Sequence, residues 1–326
     1  MKFSFTPEQD AFRAEARRFL TERVDVRAQI ALPGAHDAAL WKEMAALGWL
    51  GVALPESEGG QGLGLVDLCI VLEEAGRVLL PGPFLHHSIA GLALSRTQTG
   101  DLVPAVASGE IVATAVSDLD APAACGSVAD AVVVLRLMDP QITRPGTFTT
   151  DEIETADLTR PGARVAPTSE AEGLSAPVPL LPYASVAAAA DAVGGAQGAV
   201  DMAVAYAKDR QQFDRPIGSF QAIKHKAADM LRALEAARLA TYYAASAIDT
   251  GAPDAFVAAA QAKVAANDAF MRCAADNIQI HGGIGVTWEH DAHLYYRRAL
   301  GDSVLFGDSA GGREVVARAL FEGLPS

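Results

Sequence analysis

The chain has 326 residues and a net charge of −14, and 50% of its residues are hydrophobic whereas only 6% are aromatic. This length allows a large core and two or three domains. The acidic balance argues against a general binder of nucleic acids or anionic membranes, because such proteins carry a basic surplus. Charges or glycines interrupt every apolar run before it could span a membrane, and the N-terminus has no apolar signal region, so we expect a cytoplasmic protein.

The N-terminal third predicts a series of helices. Residues Thr6 to Glu8 are typical of a helix start, because a hydroxyl can cap free N–H groups and proline suits the first turn. Apolar residues at helical spacing predict a helix over 7–30, and the same spacing predicts three more, over 37–47, 65–80 and 85–98. The glycine-rich segment 58–64 is predicted to be a loop.

The composition changes after residue 109. Residues 110–178 hold short β-branched runs, Ile111 to Thr114 and Val132 to Leu135, between turn-forming residues, so short strands are predicted. Helical spacing then returns in alanine-rich segments, at 184–209, 221–249, 253–281, 287–304 and 309–321.

These elements predict a mainly α protein in three parts. An N-terminal helical domain is expected over residues 1–109, a small middle β domain over 110–180, and a C-terminal four-helix bundle over 181–326. The three cysteines are widely spaced, without the spacing of metal ligands, which favours buried free thiols. His290 and His293 lack a third ligand nearby in the sequence, so we predict no metal site.

Residues 279–293 form the most informative segment of the chain. Gly282, Gly283 and Gly285 stand between two helical patterns. Glycine has no Cβ, so the phosphates of a ligand could approach the main chain closely there. The segment from Thr287 could also present free N–H groups to an anion. An ordinary turn between two helices is the alternative interpretation.

A second segment, Arg210 to Met230, supports a functional interpretation of the glycine loop. It resembles the signature of the acyl-CoA dehydrogenases, and so does Gln279 to Gly285. Further motifs of this family occur in family order in the N-terminal third, at 5–9, 40–44, 48–51, 55–62, 72–77 and 81–84. The resemblance covers roughly residues 1–95 and 190–300.

The resemblance implies the same three-part fold, with FAD as cofactor and an acyl-CoA as substrate. Such an enzyme oxidises the bond between the carbons α and β to the thioester. A base removes an α proton while a hydride leaves the β carbon for the flavin. An electron-transfer acceptor would then reoxidise the flavin.

The family's motifs also imply which residues contact the FAD of the neighbouring subunit. Carried over to this chain, they are Arg210, Phe213, Gln221, Gln279, Gly282 and Gly283. A guanidinium can pair bidentately with a pyrophosphate, and a phenylalanine can cover a ring of the cofactor. Alternatively, Arg210 caps a helix C-terminus and Phe213 belongs to the core.

The chain departs from the family at the catalytic base. The usual glutamate position aligns with Phe306, and the position used by other members aligns with Ala184, so neither holds a carboxylate. The middle segment also lacks the motifs that hold the flavin ring, including any tryptophan between Trp49 and Trp288.

We therefore interpret the chain as the shorter, non-catalytic subunit of a heteromeric acyl-CoA dehydrogenase. Such enzymes are known from bacterial steroid breakdown, and a related, longer subunit would supply the base, with a heterotetramer expected. One alternative is a homomeric enzyme with a relocated base, for which Asp308 is the best candidate and Glu314 the next. Asp308 equally suits the N-cap of the last helix. Another alternative is a scaffold that binds no flavin.

Overall fold

The computed structural model describes residues 4–97, 100–136, 140–175 and 179–323. The α-helices of this part of the chain are α1 Pro7–Arg23, α2 Val26–Ile30, α3 Ala38–Ala46, α4 Leu65–Arg77, α5 Phe84–Leu94, α6 Val103–Ala107, α7 Leu181–Asp209, α8 Gln221–Asp249, α9 Ala255–His281, α10 Ala292–Asp302 and α11 Ser309–Glu322. Its strands are β1 Ala113–Val116, β2 Ala123–Ala124, β3 Ala131–Val134, β4 Gln141–Thr143, β5 Phe148–Ile153, β6 Gly162–Pro167, β7 Glu172–Gly173, β8 Gln211–Gln212 and β9 Arg215–Pro216.

The first helix begins as the sequence predicts but is shorter. The Thr6 hydroxyl accepts a hydrogen bond from the Gln9 N–H, and the Gln9 side chain bonds back to the Thr6 N–H, so a capping box starts α1. The predicted helix over 7–30 is broken because Val24 adopts an extended backbone. Asp25 then caps α2 by accepting a hydrogen bond from the Ala28 N–H.

The middle part is built from two small sheets. One has the strand order β1-β3-β4-β7 and the other β2-β6-β5. The pair β1 and β3 is parallel, with Thr114 opposite Val132, whereas β5 and β6 are antiparallel, with Thr150 opposite Val165. The predicted run from Ile111 forms a strand only from Ala113, because the Val112 N–H is bonded to the Asp130 carboxylate before the ladder begins.

The C-terminal part is a helical bundle formed around the long helices α7, α8 and α9. The predicted helix over 287–304 begins only at Ala292, because residues 282–286 form a 3₁₀ turn and residues 287–291 a further turn. Helix α4 packs closely on α7 through two glycines. A Cβ added at Gly194 would overlap the Glu73 carbonyl oxygen, and one at Gly76 would overlap that of Asp191.

The predicted architecture is confirmed: an N-terminal helical part, a small β part and a C-terminal bundle follow one another along the chain. The cysteines Cys69, Cys125 and Cys273 are buried free thiols. Among the described residues, none of the helices combines the length and the apolar character needed to cross a membrane. No cluster of three or more candidate metal ligands occurs within these described ranges.

Replacing Gly194 with alanine should force α4 and α7 apart. We expect the free energy of unfolding to fall by about 1–3 kcal/mol through overpacking, which exceeds the gain in helix propensity. Chemical denaturation measures the loss. Gly283→Ala is the control, because a Cβ at that glycine would meet no heavy atom within 4 Å. Equal stability of the two variants would contradict the close approach of α4 and α7.

Candidate functional site

The ends of three long helices meet at one end of the bundle. The rings of Tyr206, near the end of α7, and His281, the last residue of α9, stack with their centroids 4.1 Å apart. Only a short hairpin and a 3₁₀ turn separate the end of α7 from Gln221, the first residue of α8. The residues that the sequence assigns to cofactor contact therefore lie at this end of the bundle, which we call the cofactor face: Arg210, Phe213, Gln221, Gln279, Gly282 and Gly283.

The hairpin on the cofactor face presents Phe213 to solvent. Strands β8 and β9 are joined by Phe213 and Asp214, whose φ angles of 54° and 60° are left-handed. A two-residue turn with this geometry matches the twist of a hairpin, but a phenylalanine there is strained by about 1–3 kcal/mol. The side chain is 86% exposed, so the core alternative for Phe213 does not hold within the single chain.

Arg210 follows the last residue of α7. Its backbone N–H donates to the Tyr206 carbonyl at 2.8 Å, and its carbonyl accepts from the Ile217 N–H at 2.8 Å. The exposed guanidinium forms no side-chain hydrogen bond or ion pair with any residue that the structure describes. The side chain therefore does not cap α7, and its charge is available to an external anion.

The glycine loop at the end of α9 is open on its outer side. Gly282 has φ 67° and ψ −144°, a conformation that suits glycine, and the Gly282 N–H donates to the Ile278 carbonyl. A Cβ at Gly282 or Gly283 would find no heavy atom of the described residues within 4 Å. The main chain there is thus accessible to a ligand.

The turn after the glycine loop is internally bonded. The Thr287 N–H donates to the Ile284 carbonyl at 3.1 Å and the His290 N–H to the Thr287 carbonyl at 3.3 Å. The sequence-based expectation that this segment presents free N–H groups is therefore wrong for these two residues. Arg27 of α2 holds the turn from outside, with Nε 2.6 Å from Asp291 Oδ1 and Nη1 2.5 Å from the Trp288 carbonyl oxygen.

A cavity of about 360 Å³ lies elsewhere in the molecule, between the β part and the end of α10. Phe306, which aligns with the family's usual base, lies in its wall with only 3% of its surface exposed. The Phe306 ring packs against His86 of α5 at a centroid distance of 5.6 Å. His86 Nδ1 lies 2.9 Å from the Ala115 carbonyl of β1, which can only accept, so Nδ1 carries a proton. Burial lowers the pKa of His86 to about 4.

Asp157, Arg160 and Asp302 line one side of the cavity. Together with Arg298 and Asp191 behind them, they form a buried ionic cluster. Arg298 lies 3.0 Å from Asp157 and 3.2 Å from Asp191, whereas Arg160 bonds to Asp157 and Asp302. Burial opposes the charge of Asp157, but Arg298 and Arg160 outweigh it and lower the pKa of Asp157 to about 2. Burial dominates at Asp302 and raises its pKa to about 6.

Asp308, the weak candidate for a base, lies at the N-cap of α11. Its Oδ1 accepts a hydrogen bond from the Gly311 N–H at 2.7 Å, as the cap interpretation requires. Asp308 is not among the described residues that line the cavity. Ala184 is fully buried in α7, and it is likewise not among the lining residues of the described chain.

Sequence reasoning missed the polar residues of the cavity. His86, Asp302 and the neighbouring Asp157 and Arg160 come from three separate stretches of the chain, and none lies in a recognisable motif. Charged residues inside apolar segments, such as Asp302 at the end of α10, were the available signal, because such groups are seldom buried without partners.

Comparison with known proteins decides the family. The profile described as acyl-CoA dehydrogenase, N-terminal domain, matches residues 6–110, and the profile described as acyl-CoA dehydrogenase, C-terminal domain, matches residues 171–321. The chain belongs to the acyl-CoA dehydrogenase family. FAD is the cofactor of this family.

The most informative relatives of this acyl-CoA dehydrogenase chain are mycobacterial or steroid-related. Acyl-CoA dehydrogenase IpdE2 of Mycobacterium tuberculosis is 38% identical over 296 residues, which span 90% of this chain and 89% of that protein. A variant of the Tcur3481–Tcur3483 steroid acyl-CoA dehydrogenase has a similar structure, with a TM-score of 0.88 and 28% identity over 97% of this chain and 98% of that one. A chain of the ChsE4–ChsE5 complex from Mycobacterium tuberculosis aligns with a TM-score of 0.87 and 25% identity over 100% of both chains.

The cofactor face carries groups whose chemistry suits an FAD. An unpaired guanidinium, an exposed ring and an open glycine backbone are suited to a pyrophosphate and its attached rings. The cavity fits the flavin ring poorly, because Phe306 and His86 pack together in its wall and His86 is bonded to the carbonyl of β1.

The raised pKa of Asp302 predicts a specific dependence of stability on pH. Burial raises this pKa from 3.8 to about 6, so the folded state holds the proton more tightly than the unfolded chain. The contribution of Asp302 to stability therefore increases as the pH falls through this window. Denaturation should be measured for the wild type and for Asp302→Asn at several pH values. As the pH falls from about 7 to about 4, we expect the unfolding free energy of the wild type to increase relative to that of Asp302→Asn. Parallel curves would contradict the assignment.

Substitutions of Asp308 should behave as those of a helix cap. We expect Asp308→Ala to lower the free energy of unfolding by about 1 kcal/mol, and Asp308→Asn to change it little, because asparagine also caps helices. Thermal denaturation measures both variants. If Asp308 were instead the base of the reaction, Asp308→Asn would abolish dehydrogenation while leaving the stability intact.

Proposed function

We propose that this chain is the non-catalytic subunit of a heteromeric acyl-CoA dehydrogenase. Its cofactor face completes an FAD site whose base belongs to a related, longer subunit. The assembly is a heterotetramer that catalyses α,β-dehydrogenation of an acyl-CoA and passes electrons to an external acceptor.

The observation that carries this proposal is the contrast between the cofactor face and the cavity. On the cofactor face, the guanidinium of Arg210 and the ring of Phe213 are exposed, and Phe213 is held there in a strained conformation. In the cavity, the position of the usual base holds the buried Phe306.

Each group on the cofactor face has a task toward the partner's cofactor. Arg210 would neutralise the pyrophosphate, and the main chain at Gly282 and Gly283 would approach it closely. Phe213 would cover a ring and exclude water, while Gln279 and Gln221 would donate or accept hydrogen bonds at the edge. The bound FAD supplies the hydride acceptor for the reaction.

The relatives support a bulky acyl group. One similar structure is that of a steroid acyl-CoA dehydrogenase, and another is a complex of two named proteins, ChsE4 and ChsE5. We infer by analogy that the substrate of this chain's assembly is a steroid-type or similarly large acyl-CoA and that the enzyme serves lipid or steroid breakdown.

A self-sufficient homomeric enzyme is the second candidate, and one observation favours a specific base for it. Asp302 lines the cavity close in sequence to Phe306, and its Oδ2 has no hydrogen-bond partner among the described residues. A carboxyl group with a pKa of about 6 suits general base catalysis. If this chain alone catalysed dehydrogenation, Asp302 rather than Asp308 would be the residue to test.

Co-expression with the longer subunit tests the composite site. We expect flavin absorbance in the complex at one FAD per pair of unlike chains, and none in this chain purified alone. Arg210→Ala should weaken FAD binding by the complex roughly 10- to 100-fold, because a hydrogen bond to a charged group contributes about 1.5–3 kcal/mol. Equilibrium dialysis with FAD measures the change.

The control for Arg210→Ala is Arg232→Ala, which removes a guanidinium that is 72% exposed on α8. It should leave the affinity for FAD unchanged. One FAD bound per subunit by this chain alone would overturn the proposal, and so would equal affinities of the two variant complexes.

A further inference from the structure

The cavity is large enough for a ligand of its own. Its volume of about 360 Å³ lies within the range of small-molecule sites. Most of the wall is apolar, with Val116, Pro122, Leu300, Leu305 and Phe306 among the lining residues. A molecule bound there would therefore place an apolar body against these side chains.

Two buried polar atoms of the lining residues have no hydrogen bond among the described residues, Asp302 Oδ2 and Arg160 Nη1. Arg160 Nη1 lies 3.4 Å from Asp191 Oδ2, so it has an ion pair but no hydrogen bond. Asp302 and Arg160 are both more than nine-tenths buried, with 1% and 5% of their surface exposed. Buried polar atoms without a hydrogen bond are unfavourable, so these two atoms call for a group that donates to Asp302 and accepts from Arg160. A hydroxyl group does both.

The charge of the cluster restricts the ligand further. Arg160, Arg298 and the buried Lys263 carry three positive charges, and Asp157, Asp191 and Asp302 carry three negative charges when ionised. Lys263 adjoins the ionic cluster, because its Nζ lies 2.7 Å from the backbone carbonyl oxygen of Asp302. A charged ligand would add an uncompensated charge at a buried site, which is costly.

We propose that the cavity is a separate binding site for a neutral, apolar molecule that carries a hydroxyl group, with Asp302 and Arg160 as the polar anchors. The site takes no part in the hydride transfer of the composite site. It gives this subunit a ligand of its own, so that occupancy of the cavity is distinct from occupancy of the cofactor face.

Three compounds with one rigid body test the polar assignment. 1-Adamantanol can donate and accept, 1-methoxyadamantane can only accept, and 1-adamantanecarboxylate is charged. We expect saturable binding of the alcohol to the full chain in ligand-observed NMR titrations, at least tenfold tighter than that of the ether or the carboxylate. Stronger binding of the carboxylate would overturn the neutral assignment, and equal binding of the ether would overturn the anchors.

Variants locate the binding in the cavity. Ala121→Leu places a larger side chain in the lining at a position outside the ionic cluster and should weaken binding of the alcohol at least tenfold. Ala310→Leu, on the exposed side of α11, is the control and should leave it unchanged. Asp302→Asn should abolish the preference for the alcohol over the ether.

The absence of saturable binding by the alcohol would mean that water alone satisfies the two anchors, and the proposal would fall. Binding that Ala121→Leu does not weaken would also overturn it. The visible absorbance of the same samples reports flavin independently. Failure of the cavity proposal and failure of the composite-site proposal are thus separate results.

Discussion

The buried guanidinium of Arg298 connects the three parts of the chain through hydrogen bonds and ion pairs. From α10 it reaches Asp191 of α7, Thr159 before β6, and the carbonyl of Leu80 that follows α4, at distances of 3.2, 2.8 and 3.0 Å. Removing one member of a buried ion pair costs roughly 3–5 kcal/mol, because the partner charge is left uncompensated. The helical parts and the β part are therefore held in one relative arrangement by charge pairing as well as by apolar packing.

This constraint separates the two candidate sites. The cluster fixes one wall of the cavity, and His86, bonded to the Ala115 carbonyl, packs against Phe306 in another part of the lining. The cofactor face, by contrast, lies at a helix end where hairpin and loop residues project to solvent with few internal partners. A rigid interior and an open end are what a subunit needs if it presents groups to a neighbour rather than enclosing a reaction itself.

Periodicity and cap chemistry predicted the long elements well because these signals are local. Helix α8 has the predicted bounds of 221 and 249, and Thr6 caps α1 as its sequence indicates. Elements that depend on long-range contacts were harder to predict from the sequence. The offset of β1 follows from the hydrogen bond between the Val112 N–H and the carboxylate of Asp130. The break at Val24 and the late start of α10 at Ala292 have local causes, an extended residue and consecutive turns, which helical periodicity does not register. Within the ionic cluster, Arg160 and Asp302 are 142 positions apart in the sequence, and no local sequence pattern predicts their contact.

The proposed division of labour between subunits agrees with the energetics of the cofactor face. The exposed Phe213 meets Phe220 edge to face at a centroid distance of 6.1 Å, and Arg210 has no side-chain partner among the described residues. The strain at Phe213 opposes the stability of the isolated chain by about 1–3 kcal/mol. Binding at an interface can offset this strain, because desolvated aromatic and arginine side chains carry most of the affinity in such contacts. The cofactor face is thus expected to be more ordered in the complex than in the single chain. In the proposed assembly, FAD and the subunit contact would stabilise each other, since any ligand that binds only the assembled state shifts the equilibrium toward it.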